Sequence, residues 1–194
     1  MDLLSLLGIN HIPKGYHRPV TTESYRIEEE QPRFPVLSDR VIDVGCSNGA
    51  LTNWIRSKYP MITYLQGIDI DNKLVESAKA QYPNVFFTCG DGYYNLLGQI
   101  NGIPADYILM MNHIGWKARE LAYHYGEEGL EDFVASPHQA LKEGGHLIIT
   151  RAEARLVCKK TGNRFDVVEF IPYFAEESFP DMTLLRRTIE NAKF

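Results

Sequence analysis

The residues whose types and spacing could do chemistry stand close together: Asp43, Gly45, Cys46, Ser47 and Gly49 lie within the stretch VIDVGCSNGALT at 41–52. An apolar run ends in this cluster and a helical pattern leaves it, with Leu51, Trp54 and Ile55 at i, i+3 and i+4. Glycines at a strand-to-helix turn lack the Cβ atoms that would hold a ligand off the backbone, and the positive helix N-terminus lies beside them. A nucleotide-like ligand is the natural occupant. The spacing is G-x-x-x-G and not the G-x-G-x-x-G of dinucleotide sites, and Asp43, two residues before the first glycine, would repel a diphosphate but suits a cation. A tight turn with no ligand is the plainer alternative for the same glycines. Asp69 follows Gly49 by about 20 residues, the distance at which a nucleotide-binding βαβ unit carries its ribose-binding acid. Helix capping is its alternative role, for which Asp71 and Asn72 qualify equally, and Asp91 also stands at a strand end where a cap is useful.

Five short apolar runs must position these groups: VIDVG (41–45), TYLQGIDI (63–70), VFFTCG (85–90), ADYILMMN (105–112) and GGHLIIT (144–150). Continuous apolar runs of this length imply strands buried on both faces, and amphipathic helices fall between the early ones. The expected fold is α/β: a doubly wound, mostly parallel sheet with its ligand crevice beyond the carboxyl ends of the strands. After residue 150, RFDVVEFIPYF and LLRRTIENAKF are expected to form an antiparallel C-terminal strand pair, joined by AEESFPDMT. Residues 1–38, broken by Pro13, Pro19, Pro32 and Pro35, are expected to be an N-terminal arm or lid, and 39–194 one domain.

Four of these stretches, in this order over roughly 41–150, resemble the class I S-adenosylmethionine-dependent methyltransferases. Asp43 to Gly49 is similar to the family's first motif, an acid and a glycine-rich loop under the methionine moiety, with Ser47 where a middle glycine is common. GIDIDNKLVESAKA resembles the second motif, whose carboxylate, here Asp69, accepts both ribose hydroxyls. CGD resembles the strand end whose acid, here Asp91, binds the adenine amino group, and LKEGGHLIIT the turn into the fifth strand. The resemblance implies S-adenosyl-L-methionine as cofactor, S-adenosyl-L-homocysteine as product, and a cofactor pocket of Asp43, Gly45, Cys46, Ser47, Gly49, Asp69, Ile70, Asp91, Gly92 and Asn112. Methyl transfer is an in-line displacement, so alignment of nucleophile, methyl and sulfur is the main requirement. His113, in MMNHIGW after the fourth strand, is the candidate general base for a hydroxyl nucleophile; satisfying loop backbone groups is its alternative role. An Asn/Asp-Pro-Pro-aromatic signature of base- or amide-N-methylating members is absent from Asn112-His113-Ile114-Gly115.

Composition narrows the partners. A net charge of −5 with scattered basic residues leaves no footprint for duplex nucleic acid, so a small-molecule or sugar-like acceptor, methylated on O or N, is expected. Cys46, Cys89 and Cys158 have neither disulfide nor zinc spacing, and Asp106, Asn112 and His113 have no second cluster of donors, so no metal is assigned. No apolar run of membrane-spanning length and no secretory signal pattern is visible, which leads to a cytoplasmic expectation with oligomeric state open. Trp116, Tyr123, His124 and Tyr125, and in the arm His11, Tyr16, His17 and Arg18, could line or cover the pocket. The competing functions are a catalytically inactive adenosyl-binding partner subunit and a nicotinamide-dependent oxidoreductase, the latter disfavoured by the loop spacing.

Overall fold

The computed structural model describes residues 34–92, 96–111, 134–150, 154–172 and 180–194. The elements in chain order are β1 (Asp39–Val44), α1 (Ala50–Lys58), β2 (Ile62–Asp69), α2 (Asn72–Gln81), β3 (Phe86–Cys89), α3 (Leu96–Gln99), β4 (Ala105–Met111), a helix α4 over 134–140, β5 (Leu141–Thr150), β6 (Ala154–Thr161), β7 (Arg164–Pro172) and α5 (Pro180–Asn191). They form one sheet in the order β3-β2-β1-β4-β5-β6-β7. β1 is parallel to both β2 and β4, β3 to β2 and β5 to β4, while β6 runs antiparallel to β5 and β7 to β6. The direction of winding reverses between β1 and β4, the place where doubly wound sheets open a crevice. Among the described residues no helix is long and apolar enough to cross a membrane.

Alternation along the strands divides the core in two. Val41, Leu65, Leu109, Ile148 and Val157 face one side and pack with Ile55 of α1 and Val75 and Ala78 of α2. Ile42, Val44, Ile108, Met110, Leu147 and Ile149 face the other, with Leu96, Val134 and Ile189 from the remaining helices. Both faces of the strands are buried, which is why they read as unbroken apolar runs. Asp43 stands on the α1 side of this pattern, where a hydrophobic residue would normally sit.

One expectation is corrected. LLRRTIENAKF is not a strand: residues Pro180–Asn191 form α5, which buries Thr188 and Ile189, with Ala192 buried just past its end, and whose Arg186 and Glu190 pair at i, i+4. The antiparallel pair is instead β6 with β7. Thr161 pairs with Arg164 across a two-residue Gly162-Asn163 turn, with Gly162 at φ 60, and Leu156 and Cys158 face the core opposite to Val157.

Close packing of α1 and α2 on the sheet depends on missing side chains. An ideal Cβ on Gly49 would lie 2.6 Å from Phe87 Cζ and 2.9 Å from the Ala78 Cβ, and one on Gly67 would lie 2.7 Å from Phe87 Cδ1 and 2.8 Å from Cys46 Sγ. Gly49 also has φ 78, whereas Gly67 carries no such backbone constraint. Gly67→Ala and Gly49→Ala should each lower stability by about 1–3 kcal/mol through overpacking. Adding Phe87→Leu should recover most of the loss at Gly67 but less at Gly49, where the left-handed conformation costs a further 1–2 kcal/mol or so. Urea unfolding of the singles and doubles measures this, and equal recovery at both sites would refute the distinction.

Candidate cofactor site

The loop leaving β1 is tightly wound: Gly45, Ser47 and Gly49 have φ of 77, 53 and 78. This winding turns successive amides toward the end of β2. The amides of Gly45 and Cys46 both donate to the Ile68 carbonyl, at 2.7 and 3.1 Å, and the Ser47 amide donates to Asp69 Oδ2 at 2.8 Å. The other oxygen of Asp69 accepts the Asp71 amide at 2.9 Å. Asp69 therefore ties the glycine loop to the turn that starts α2. Capping of α2 falls to Asp71, which accepts from the Lys73 and Leu74 amides. At the start of α1 the Gly49 amide donates to the Cys46 carbonyl at 2.9 Å and Ala50 to Asn48 Oδ1 at 3.2 Å.

Two carboxylates flank this loop, and both are buried: Asp43 is 1% exposed and Asp69 3%. Asp43 Oδ2 accepts the hydroxyl of Thr52, itself buried on α1, at 2.6 Å, while Oδ1 is buried with no partner. Burial pushes the Asp43 carboxyl up to about 6, against the pull of the Thr52 hydrogen bond and with help from the charge of Asp69. Cys46 is equally revealing. Burial and then the two carboxylates drive its thiol far above the ordinary range, so it is a packing group and not a nucleophile.

The remaining expected residues sit around the same sheet end. Ile70, next to Asp69, is 71% exposed, an unusual position for a large aliphatic side chain. The Asp69 carbonyl accepts the Gly90 amide at 2.9 Å, which brings Asp91 and Gly92 to the rim. A Cβ on Gly92 would lie 2.6 Å from Val44 Cγ1, so this glycine lets the turn after β3 close on the end of β1. Asn112 and His113 lie outside the described residues, as do residues 1–33, Trp116, Tyr123, His124 and Tyr125. Asp106 is at the opposite end of the sheet, where it accepts the Lys142 ammonium at 2.9 Å and the Arg40 amide at 3.0 Å. No sequence pattern marks Thr52. Its only signal was a hydroxyl on the inner face of an amphipathic helix.

The fold and the loop define a doubly wound α/β domain with a glycine loop at its crevice, and comparison with known proteins supplies the family. Residues 41–145, just over half of the chain, match the family described as the methyltransferase domain, and the chain belongs to that family, with the class I, Rossmann-like sheet of S-adenosylmethionine-dependent members. A protein of invertebrate iridescent virus 6, provisionally assigned as methyltransferase 235L, is 45% identical over 51 residues, which is 26% of this chain and 19% of the viral protein. A TehB-like S-adenosylmethionine-dependent methyltransferase of Corynebacterium glutamicum is 23% identical, with 60% of this chain and 55% of that one covered and a TM-score of 0.44. For an S-adenosylmethionine-dependent methyltransferase of Clostridium acetobutylicum the values are 13%, 77%, 73% and 0.46.

The raised Asp43 carboxyl links stability to pH. A group that binds its proton more tightly when folded stabilises the fold at low pH, and that stability is lost as pH rises from the ordinary value of 3.8 through about 6. Asp43→Asn should remove this dependence and stabilise the ligand-free chain at pH 7.5 by on the order of 1–3 kcal/mol. Denaturation at pH 5 and 7.5 checks it; a wild-type-to-variant difference that is the same at both values would show that Asp43 is ionised throughout.

Proposed function

We propose that the chain transfers a methyl group from S-adenosyl-L-methionine to an oxygen or nitrogen nucleophile of a small-molecule or sugar-like acceptor. The observation that carries this is the bare, buried Oδ1 of Asp43 beneath a glycine loop that is itself bonded to a second acid, Asp69. A buried carboxylate needs a cation or a proton, which a dinucleotide phosphate does not supply and an amino-acid ammonium does. The bound cofactor would supply an electrophilic methyl group on a positively charged sulfur. The chain's own residues bind and orient. Gly45, Cys46 and Ser47 offer backbone to the methionine moiety. Asp69 gives two of its roughly four acceptor positions to the amides of Ser47 and Asp71, and the others suit ribose hydroxyls. Exposed Ile70 offers an apolar surface to the adenine, and Asp91 an acceptor for its amino group. In this reading Gly49 and Gly92 serve by packing, Asn112 completes the pocket and His113 is the general base.

S-adenosyl-L-homocysteine should bind one to one and raise the melting temperature, with no response to NADH. Asp69→Ala should weaken binding by about 2 kcal/mol or more, because it removes ribose bonds and also releases the Ser47 amide, and saturating cofactor should restore much of the turnover. A bulky residue at Gly45 should abolish binding. His113→Ala should instead lower turnover roughly 10²–10⁴-fold at nearly unchanged cofactor affinity. Isotopically labelled cofactor added to cell extract identifies the acceptor on which turnover is read. Absence of calorimetric heat and of any melting shift with S-adenosyl-L-homocysteine would overturn the assignment; binding without turnover across a broad acceptor panel would favour an inactive partner subunit.

A further inference from the structure

Gly90, the residue before Asp91, has no backbone reason to be a glycine, since it is not among the residues with positive φ. Its bareness makes room for a side chain from α3. An ideal Cβ on Gly90 would fall 2.8 Å from Gln99 Cδ and 3.1 Å from Gln99 Nε2, with Gln99 Oε1 closer still, so the carboxamide of the last residue of α3 lies directly on the Gly90 backbone. The backbone of Gln99 is anchored deeper in the sheet. Its carbonyl accepts Gln66 Nε2 at 3.3 Å, and the same nitrogen donates to Thr88 Oγ1 at 3.0 Å, which ties α3 to β2 and β3. Buried Gln66 is itself held by the Tyr64 hydroxyl at 2.9 Å. Gly90 stands two residues beyond Thr88, at the carboxyl end of β3, where its amide donates to the Asp69 carbonyl. The Gln99 side chain therefore runs from the level of Thr88 toward the rim of the crevice. It is half-buried, and among the described residues its carboxamide has no hydrogen-bond partner. A donor and an acceptor are left open beside the turn at 90–92.

We infer that Gln99 is a specificity-determining residue for the nucleobase of the cofactor: its carboxamide takes the N6–H and N7 edge of adenine, with Oε1 accepting an amino hydrogen and Nε2 donating to N7. That the base is adenine rests on the S-adenosylmethionine reading; that a donor and an acceptor stand open at this turn rests on the chain's own contacts. The adenine amino group has two hydrogens, one on the side of N1 and one on the side of N7. Asp91 takes one of them in the proposed site, and Gln99 takes the other. A carboxamide carries its acceptor and donor at the spacing of N6–H and N7, which is why Asn and Gln read adenine at this edge. Hypoxanthine, with oxygen in place of the amino group, would set an acceptor against the carboxamide oxygen. Gly90 is the positioning residue, because a Cβ there would push the carboxamide off the turn.

Titration calorimetry of the full chain with S-adenosyl-L-homocysteine and with its 7-deaza analogue, in which C–H replaces N7, tests the contact. In the wild type the replacement should weaken binding about tenfold, within the range of a bidentate contact to a base. Gln99→Leu should bind S-adenosyl-L-homocysteine about tenfold more weakly and no longer distinguish the two ligands. Gln99→Glu, which accepts but does not donate, should also lose the preference for N7. Gly90→Ala should lose it with Gln99 still in the chain, and a preference that survives there refutes the positioning role of Gly90. If Gln99→Leu or Gln99→Glu weakens both ligands by the same factor and keeps the preference, Gln99 serves only the packing of the turn, and the inference is overturned. A wild type indifferent to N7 overturns it too. Either result leaves the cofactor assignment standing, whereas no binding of either ligand to the wild type overturns both.

Discussion

The arrangement of the site depends on a single carboxylate. Asp69, at the end of β2, holds the amide of Ser47 with one oxygen and the amide of Asp71 with the other, so one side chain orders the turn after β1 and the turn after β2 at once. Hydrogen bonds to a carboxylate acceptor are about twice as strong as neutral ones, and here the acceptor side chain is itself buried. Without this clamp Ser47 would have little reason to hold φ 53, a conformation that a residue with a Cβ adopts at a cost. The winding of the loop, the direction of its amides and the approach to α1 all follow from it.

The clamp works because the helices are brought close enough for it to reach. Phe87 of β3 occupies the space that side chains on Gly49 and Gly67 would need, and it wedges α1, α2 and the centre of β2 into one packed unit. The glycines therefore divide the labour. Gly45 serves the turn itself, while Gly49 and Gly92 let protein approach protein, against Phe87 and Val44 respectively. At Gly49 and Gly92 the missing side chain is a requirement of helix-to-sheet and turn-to-strand packing.

What the sequence makes legible follows the same division. Strands β1 to β5 announce themselves because a parallel sheet buried on both faces demands apolar runs, and the spacing of Asp69 from Gly49 marks a residue that the structure bonds to the glycine loop. The C-terminal region is harder because Leu184-Leu185 and Ile189 fit a strand or a helix equally well in a short window; only the four-residue spacing of Arg186 and Glu190 separates the two. Ala154–Thr161 was legible in principle, since Gly162-Asn163 is a two-residue hairpin signal, but Lys159 and Lys160 dilute the alternation. Thr52 could not be found by pattern. Its importance comes from a contact between α1 and β1, and such contacts are properties of packing and not of spacing along the chain.

Four buried side-chain polar atoms among the described residues have no hydrogen-bond partner, and comparing them sets Asp43 apart. Arg40 Nε belongs to a guanidinium that donates to the Ile100 carbonyl at 3.1 Å and lies 3.9 Å over the Tyr64 ring, so its charge is already accommodated. Arg155 Nε belongs to a side chain paired with Glu169 at 2.6 Å. His138 Nε2 lies in a ring packed by Phe165 and Phe194, and burial lowers the affinity of that histidine for a proton, so it is neutral and costs one hydrogen bond at most. Asp43 differs from all three: its neighbours offer a hydroxyl and a second negative charge, and no described contact neutralises it. The fold satisfies its other buried charges and leaves this one open, at the carboxyl end of the strand where its winding reverses, and that is the arrangement the proposed cofactor site draws on.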